Sequence, residues 1–237
     1  MGAIVPSTNT VVEHDFHLAA PPGVTVHSAR LYIARPSMAD DAAIADLLQQ
    51  VREGLEGAVR DLMTCSPSHV VMAMTAESFC GGVAGNDRLE GWVKVTSGVS
   101  VTTGATACRE ALRAFGVKRL AVLNPYQPVV EQDVVRFFAE SGFEVVRSQS
   151  LRVASAISVA EISDQRLVET LRQLDSREVE AIVQVGANLS LVRLADAAER
   201  WLGKPVLAVN AAMYWHALRQ CGVDDQFEGL GRLLRQR

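Results

Sequence analysis

The chain has 237 residues, 49% hydrophobic and 21% charged, with a net charge of −4. That suits one large α/β domain or two lobes of about 100–120 residues each, and it argues against wholesale disorder. The acidic balance without a Lys/Arg run argues against a nucleic-acid partner, and no apolar run reaches the ~18–20 residues of a membrane span.

The opening MGAIVPSTNT lacks the basic and long apolar stretches of a signal peptide. Cys65, Cys80, Cys108 and Cys221 form no CxxC pair and match no zinc spacing. Reduced thiols in a cytoplasmic protein are therefore expected, with no metal and no cofactor.

In chain order, Val/Ile-rich runs at 2–5, 24–33, 69–74, 99–103, 119–124, 144–152, 180–186 and 205–209 read as buried strands. The stretch 40–63 carries Ile44, Leu47, Leu48, Val51, Leu55, Val59 and Leu62 at helical spacing. Stretches 104–115, 128–141, 161–174, 190–202 and 210–221 read the same way. The segment 78–92, SFCGGVAGNDRLEGW, has glycines at 81, 82, 85 and 91 and reads as a mobile loop able to close over a ligand. It is no phosphate loop, because no GK[ST] follows. Strands alternating with helices predict a parallel sheet with right-handed crossovers.

The chain also echoes itself. ACREALRAFGV at 107–117 resembles YWHALRQCGV at 214–223, and HVVMAMTAES at 69–78 resembles AIVQVGANLS at 181–190. The prediction is an α/β fold of two pseudo-symmetric lobes, each a parallel-sheet sandwich. Lobe one takes 1–104 plus 210–237 and lobe two takes 105–209, with a ligand cleft between them.

Four strand ends lead into helices through turns rich in hydroxyls and amides: Pro6-Ser7-Thr8-Asn9-Thr10, Thr75-Ala76-Glu77-Ser78, Pro125-Tyr126 and Gly186-Ala187-Asn188-Leu189-Ser190. Any single turn is explained by helix capping. Four facing one another would hold a small mono- or dicarboxylic acid through N–H and O–H donors.

The segments GAIVPSTNTVVEHDF, VVMAMTAESFCGG, GVKRLAVLNPYQPVVEQDVV and AIVQVGANLSLVRLADAAERWLGKPVLAVNAAMYWHALR resemble the maleate cis-trans isomerase and arylmalonate decarboxylase group of the aspartate/glutamate racemase superfamily. The resemblance spans nearly the whole chain. It implies two pseudo-symmetric lobes with the active site between them, and cofactor-independent isomerase or decarboxylase chemistry on a small carboxylic acid. It also implies substrate-binding roles for Asn9 and Tyr126. Family members carry reactive cysteines at strand ends. The resemblance sets Thr75 at the first such position and Val185 at the second, so neither is a thiol here.

A threonine hydroxyl needs a base to do a thiolate's work, and valine cannot do it. Glu77 is the candidate replacement as general acid/base, with Tyr126 assisting, and Cys80 is the alternative if the turn is reshaped. The expected catalytic set is Thr75, Glu77 and Tyr126; the expected binding set is Ser7, Asn9, Ser78, Gly186, Ala187 and Asn188. His216, His14 and Asp15 are weaker candidates. Glu13 and Glu131, at matching places in the two echoes, suggest a structural contact such as one between lobes. Loss of both thiols also fits a carboxylate-binding protein without catalysis. Apolar lobe faces leave room for a homo-oligomer.

Overall fold

The computed structural model describes residues 1–237. The first half contains β1 (Gly2–Pro6), α1 (Val12–His17), β2 (His27–Leu31), α2 (Asp41–Met63), β3 (His69–Met72), α3 (Thr75–Phe79), α4 (Gly82–Ser97), β4 (Ser100–Thr103) and α5 (Gly104–Phe115). The second contains β5 (Arg119–Asn124), α6 (Pro128–Glu140), β6 (Glu144–Ser150), a 3-10 turn at Ser158–Glu161, α7 (Asp164–Leu174), β7 (Ala181–Gln184), α8 (Val192–Leu202), β8 (Val206–Ala208), α9 (Val209–Gln220) and α10 (Arg232–Gln236).

Both sheets are four-stranded and wholly parallel, with orders β2-β1-β3-β4 and β6-β5-β7-β8. The matching orders make the two lobes pseudo-symmetric. The central strands are short and apolar because helices cover both faces of each sheet; β3 and β7 are buried at every residue. Helix starts follow local chemistry. Asp40 accepts from Ala43 N at the start of α2, Thr103 from Thr106 N at α5, and Pro128 opens α6.

In each sheet the winding direction reverses between the first and third strands, which opens a crevice at their carboxyl ends. The mates are fixed by equivalent hydrogen bonds: Ala73 N donates to Ile4 O (3.0 Å), and Val185 N donates to Leu123 O (2.9 Å). Ala73 thus matches Val185, and Thr75 matches Ala187. The expected lobe boundaries fall at the starts of α5 and α9. These two helices each follow the last strand of their sheet and pack against one another.

The expected loop at 78–92 is instead largely α4. Its glycines serve close approach rather than mobility. A Cβ on Gly85 would lie 1.9 Å from Cys80 O, and Gly81 takes a left-handed φ of 78° at the helix start. Buried Asn86 then pins the helix, donating to Thr106 Oγ1 and accepting from Thr103 Oγ1. Glu13 and Glu131 are equivalent as expected, but each contact stays within its own lobe. Glu13 pairs with Arg30 on β2, and Glu131 accepts from Ser148 Oγ on β6.

Candidate active site

The two crevices face each other, so the four turns meet. Pro6, Thr8 and Asn9, then Thr75 to Glu77, then Pro125 and Tyr126, then Gly186 to Asn188 line one cavity. It holds about 600 Å³ of empty space, part of it open to solvent.

Its polar end is built across the lobe boundary. Thr75 Oγ1 accepts from Ala187 N (3.0 Å) and lies 2.6 Å from the Tyr126 hydroxyl. Two hydroxyls carry two protons, and the bond between them uses one. Whichever of the two donates, the other O–H stays free for a ligand. Burial pushes the Tyr126 phenol above its usual range, outweighing the Thr75 hydrogen bond, so it remains a neutral donor. Asn9 Oδ1 accepts from Val11 N and Val12 N (2.9 and 3.0 Å), closing the turn that leads into α1. That fixes the amide orientation and leaves Nδ2 unclaimed by protein groups. Ser78 N donates to Met74 O, and the amides of Thr75, Ala76 and Glu77 before it find no carbonyl.

The rest of the wall is apolar: Ile33 and Met38 from the loop after β2, Leu47, Leu48 and Val51 from α2, and Val159. Loops from both lobes form the roof. Met38 N donates to Ala154 O and Ala156 N to Pro36 O, both at 2.8 Å.

Glu77 is the only charged residue lining the cavity. Arg52, from the next turn of α2, clasps its carboxylate, with Nε to Oε1 at 2.8 Å and Nη2 to Oε2 at 3.2 Å. Burial raises the Glu77 carboxyl above the ordinary glutamate range, and the Arg52 hydrogen bond and charge offset part of the rise. Nothing in the sequence flagged Arg52, which lies 25 residues away and one position off an apolar stripe.

Several expected site residues sit elsewhere. Ser7 does not line the cavity; its hydroxyl accepts from Ile33 N (2.9 Å) and steadies the roof loop. Ser78 is also outside, donating to Thr75 O (2.9 Å). Asn188 lines the cavity, but its amide is already engaged. Oδ1 accepts from Thr10 N (3.0 Å), and Nδ2 donates to Ala156 O (2.8 Å) and Thr8 O (3.4 Å).

No cysteine lines the cavity. Cys80 lies in an outer groove, where burial, with Glu77 and Asp133 nearby, pushes its thiol up. Cys108 is fully buried and pushed up to about 12, and Val185 is core. His216 packs against Thr102, which also bonds His69, away from the cavity. Asp15, a weaker candidate, is outside the cavity lining and buried, accepting from Asn210 Nδ2 (2.7 Å).

The arylmalonate decarboxylase family profile matches residues 18–234. The chain belongs to that family. It is 29% identical to a maleate isomerase of Nocardia farcinica, over 100% of this chain and 95% of that one. It is 28% identical to an arylmalonate decarboxylase of Bordetella bronchiseptica, over 89% and 90% of the two chains. Among solved structures, the Nocardia maleate cis-trans isomerase with a covalently bound succinylcysteine intermediate superposes with a TM-score of 0.90 at 28% identity, covering 100% of this chain and 98% of the other. An arylmalonate decarboxylase gives 0.80 at 25% identity, covering 98% and 97%. Family membership and the two-lobed α/β fold therefore stand as the sequence resemblance implied.

Proposed function

We propose that this chain is a cofactor-independent carboxy-lyase acting on a small carboxylic acid with an apolar substituent, and that it works without a thiol. One observation carries the reading. The cavity pairs a single hydroxyl-and-amide cluster with apolar walls, and its only titratable groups are Tyr126 and Glu77.

The cluster suits one carboxylate, held by the free O–H of the Thr75–Tyr126 pair and by Asn9 Nδ2. The walls offer no cation to a second carboxylate, which lies in a poorly solvating environment and is favoured to leave as CO₂. Breaking that C–C bond leaves its electron pair on the α carbon, spread as an enediolate onto the retained carboxylate. Hydrogen-bond donors already aimed at those oxygens stabilise the charge as it develops. One proton must then reach the α carbon, and we assign its delivery to protonated Glu77, whose carboxyl is the only one lining the cavity.

No cysteine lines the cavity, which supports a reaction that proceeds without a thiolate nucleophile. That favours decarboxylation here over the succinylcysteine chemistry of the Nocardia enzyme.

The test is proton NMR in deuterated buffer of aryl- and alkyl-substituted malonates, and of maleate, with wild type and Glu77→Gln. The expected result is CO₂ loss from a substituted malonate with one deuterium at the α carbon, abolished in Glu77→Gln, and unchanged maleate. Conversion of maleate, or tight binding of acids with no turnover, would sink the proposal.

A further inference from the structure

We infer that Arg52 is a positioning residue and that the Arg52–Glu77 pair forms a proton port through the wall between the cavity and an outer groove. This rests on the proposed role of Glu77.

The cavity is open to solvent only in part, being roofed by hydrogen-bonded loops and walled by apolar side chains, and each CO₂ lost consumes one proton. Glu77 is the only ionisable residue that lines both this cavity and the groove between α2 and α4. Its side chain is 10% exposed, while its partner Arg52 is 50% exposed and faces the groove. The carboxylate has no hydrogen-bond partner other than Arg52.

That geometry makes the pair a two-state device. An ionised Glu77 is drawn to Arg52 on the groove side by two charge-assisted bonds. A proton taken from solvent removes the charge and weakens the clasp, freeing the carboxylic acid to turn to the cavity. There its O–H bond breaks as the proton joins the electron pair on the α carbon. Glu77 becomes a carboxylate again and Arg52 recaptures it. The sum is a substituted malonate dianion plus one proton giving a monocarboxylate and CO₂.

Other groups face the pair. Glu53 and Glu56 from α2 and Arg88 from α4 share the groove; Cys80 lies 3.6 Å from Arg52 Nη2; Asp133 from α6 caps Gly81 N; and Tyr126 lies across the cavity. Arg52 alone bonds the Glu77 carboxylate, so its replacement is the selective perturbation.

The experiment is a ¹³C NMR titration of glutamate-labelled protein, with the Glu77 signal assigned by its loss in Glu77→Gln. Wild type, Arg52→Met and Arg52→Lys are compared, and the pH dependence of kcat is measured in parallel on an acid the wild type decarboxylates. Removing an opposite charge at contact distance should move the Glu77 midpoint up by about one unit or more in Arg52→Met, with partial return in Arg52→Lys. The basic limb of the rate profile should move by the same amount. An unmoved Glu77 midpoint in Arg52→Met overturns the clasp, whatever the activity. A moved midpoint with an unmoved rate limb overturns the port. A moved midpoint with no acid decarboxylated by wild type overturns the proposed reaction and the port with it, while the clasp stands.

Discussion

Thr75 does two jobs at once, and the two can be separated by substitution. Its oxygen is the acceptor for the buried Ala187 amide, and its hydroxyl shares protons with Tyr126. Tyr126→Phe leaves both the Ala187 bond and one O–H in place. Thr75→Val removes the acceptor and strands a buried N–H, which costs about 1–3 kcal/mol. Thr75→Val should therefore lower urea stability and also kcat/KM, the latter by up to about 10²-fold because the unpaired Ala187 amide lets the cavity wall shift, while the Tyr126 O–H remains as a donor. Tyr126→Phe should lower kcat/KM less and leave stability nearly unchanged. Thr75→Ser should restore both, since it keeps the oxygen. Equal stability losses in the Val and Phe variants would show that the Ala187 bond is not held by Thr75. Gly104 guards the same hydroxyl from behind. A Cβ there would meet Thr75 Cγ2 at 2.6 Å, so Gly104→Ala should reduce turnover by displacing Thr75.

Where α1 meets α9, the contact is set by a pair 195 residues apart in sequence. Asp15 Oδ2 accepts from Asn210 Nδ2, and the buried Asn210 Oδ1 has no donor while Asp15 is ionised. Burial raises the Asp15 pKa to about 6 from 3.8, with the Asn210 bond and the charges of His14 and Arg193 offsetting part of the rise. The folded value lies above the unfolded one, so the folded state binds the extra proton. Its contribution to stability is full below about pH 4 and is lost as pH rises through about 6, a change of roughly 3 kcal/mol by linkage. Asp15→Asn mimics the protonated form and can donate to Asn210 Oδ1. Urea unfolding should find this variant more stable than wild type at pH 8 and no more stable at pH 4. The same gain at both values would mean that Asp15 does not titrate in this window. This pair was invisible in the sequence because helical spacing reports a face, not the partner across a fold. Element type was far easier to read: continuous apolar runs gave the strands, and a 3–4 stripe gave α2. The failure was α4, where four glycines outweighed the pattern Val83, Asn86, Leu89, Val93. Glycine there is demanded by the carbonyl of Cys80, a contact that no local pattern encodes.

The two lobes meet through the packed pair α5 and α9 and again around the ligand cavity, so part of the junction is tied to the chemistry of the site. The turns that converge there were legible because hydroxyl and amide residues stood at four strand ends. The division of labour among them was not legible, because the same residue types cap helices, staple backbones and bind ligands. Asn188 is the clearest case. From lobe two it accepts from Thr10 N in lobe one, and it donates to Ala156 O in the roof and to Thr8 O. No side chain of similar size could supply both donors and the acceptor without an amide. Asn188→Ala should therefore loosen the lobes locally rather than unfold them, at a cost of about 1–2 kcal/mol because the abandoned groups are only partly buried. Hydrogen exchange should quicken at Thr10 and in the 154–156 roof, while β1 and β5 amides at the sheet centres keep wild-type protection. Binding of a substrate-like monocarboxylate should weaken about tenfold, since the ligand must then restore closure that Asn188 supplies in the wild type. Exchange that quickens equally across both sheets would instead make Asn188 part of the global core. Unchanged exchange with weakened binding would return it to the role expected from the sequence, direct contact with the acid.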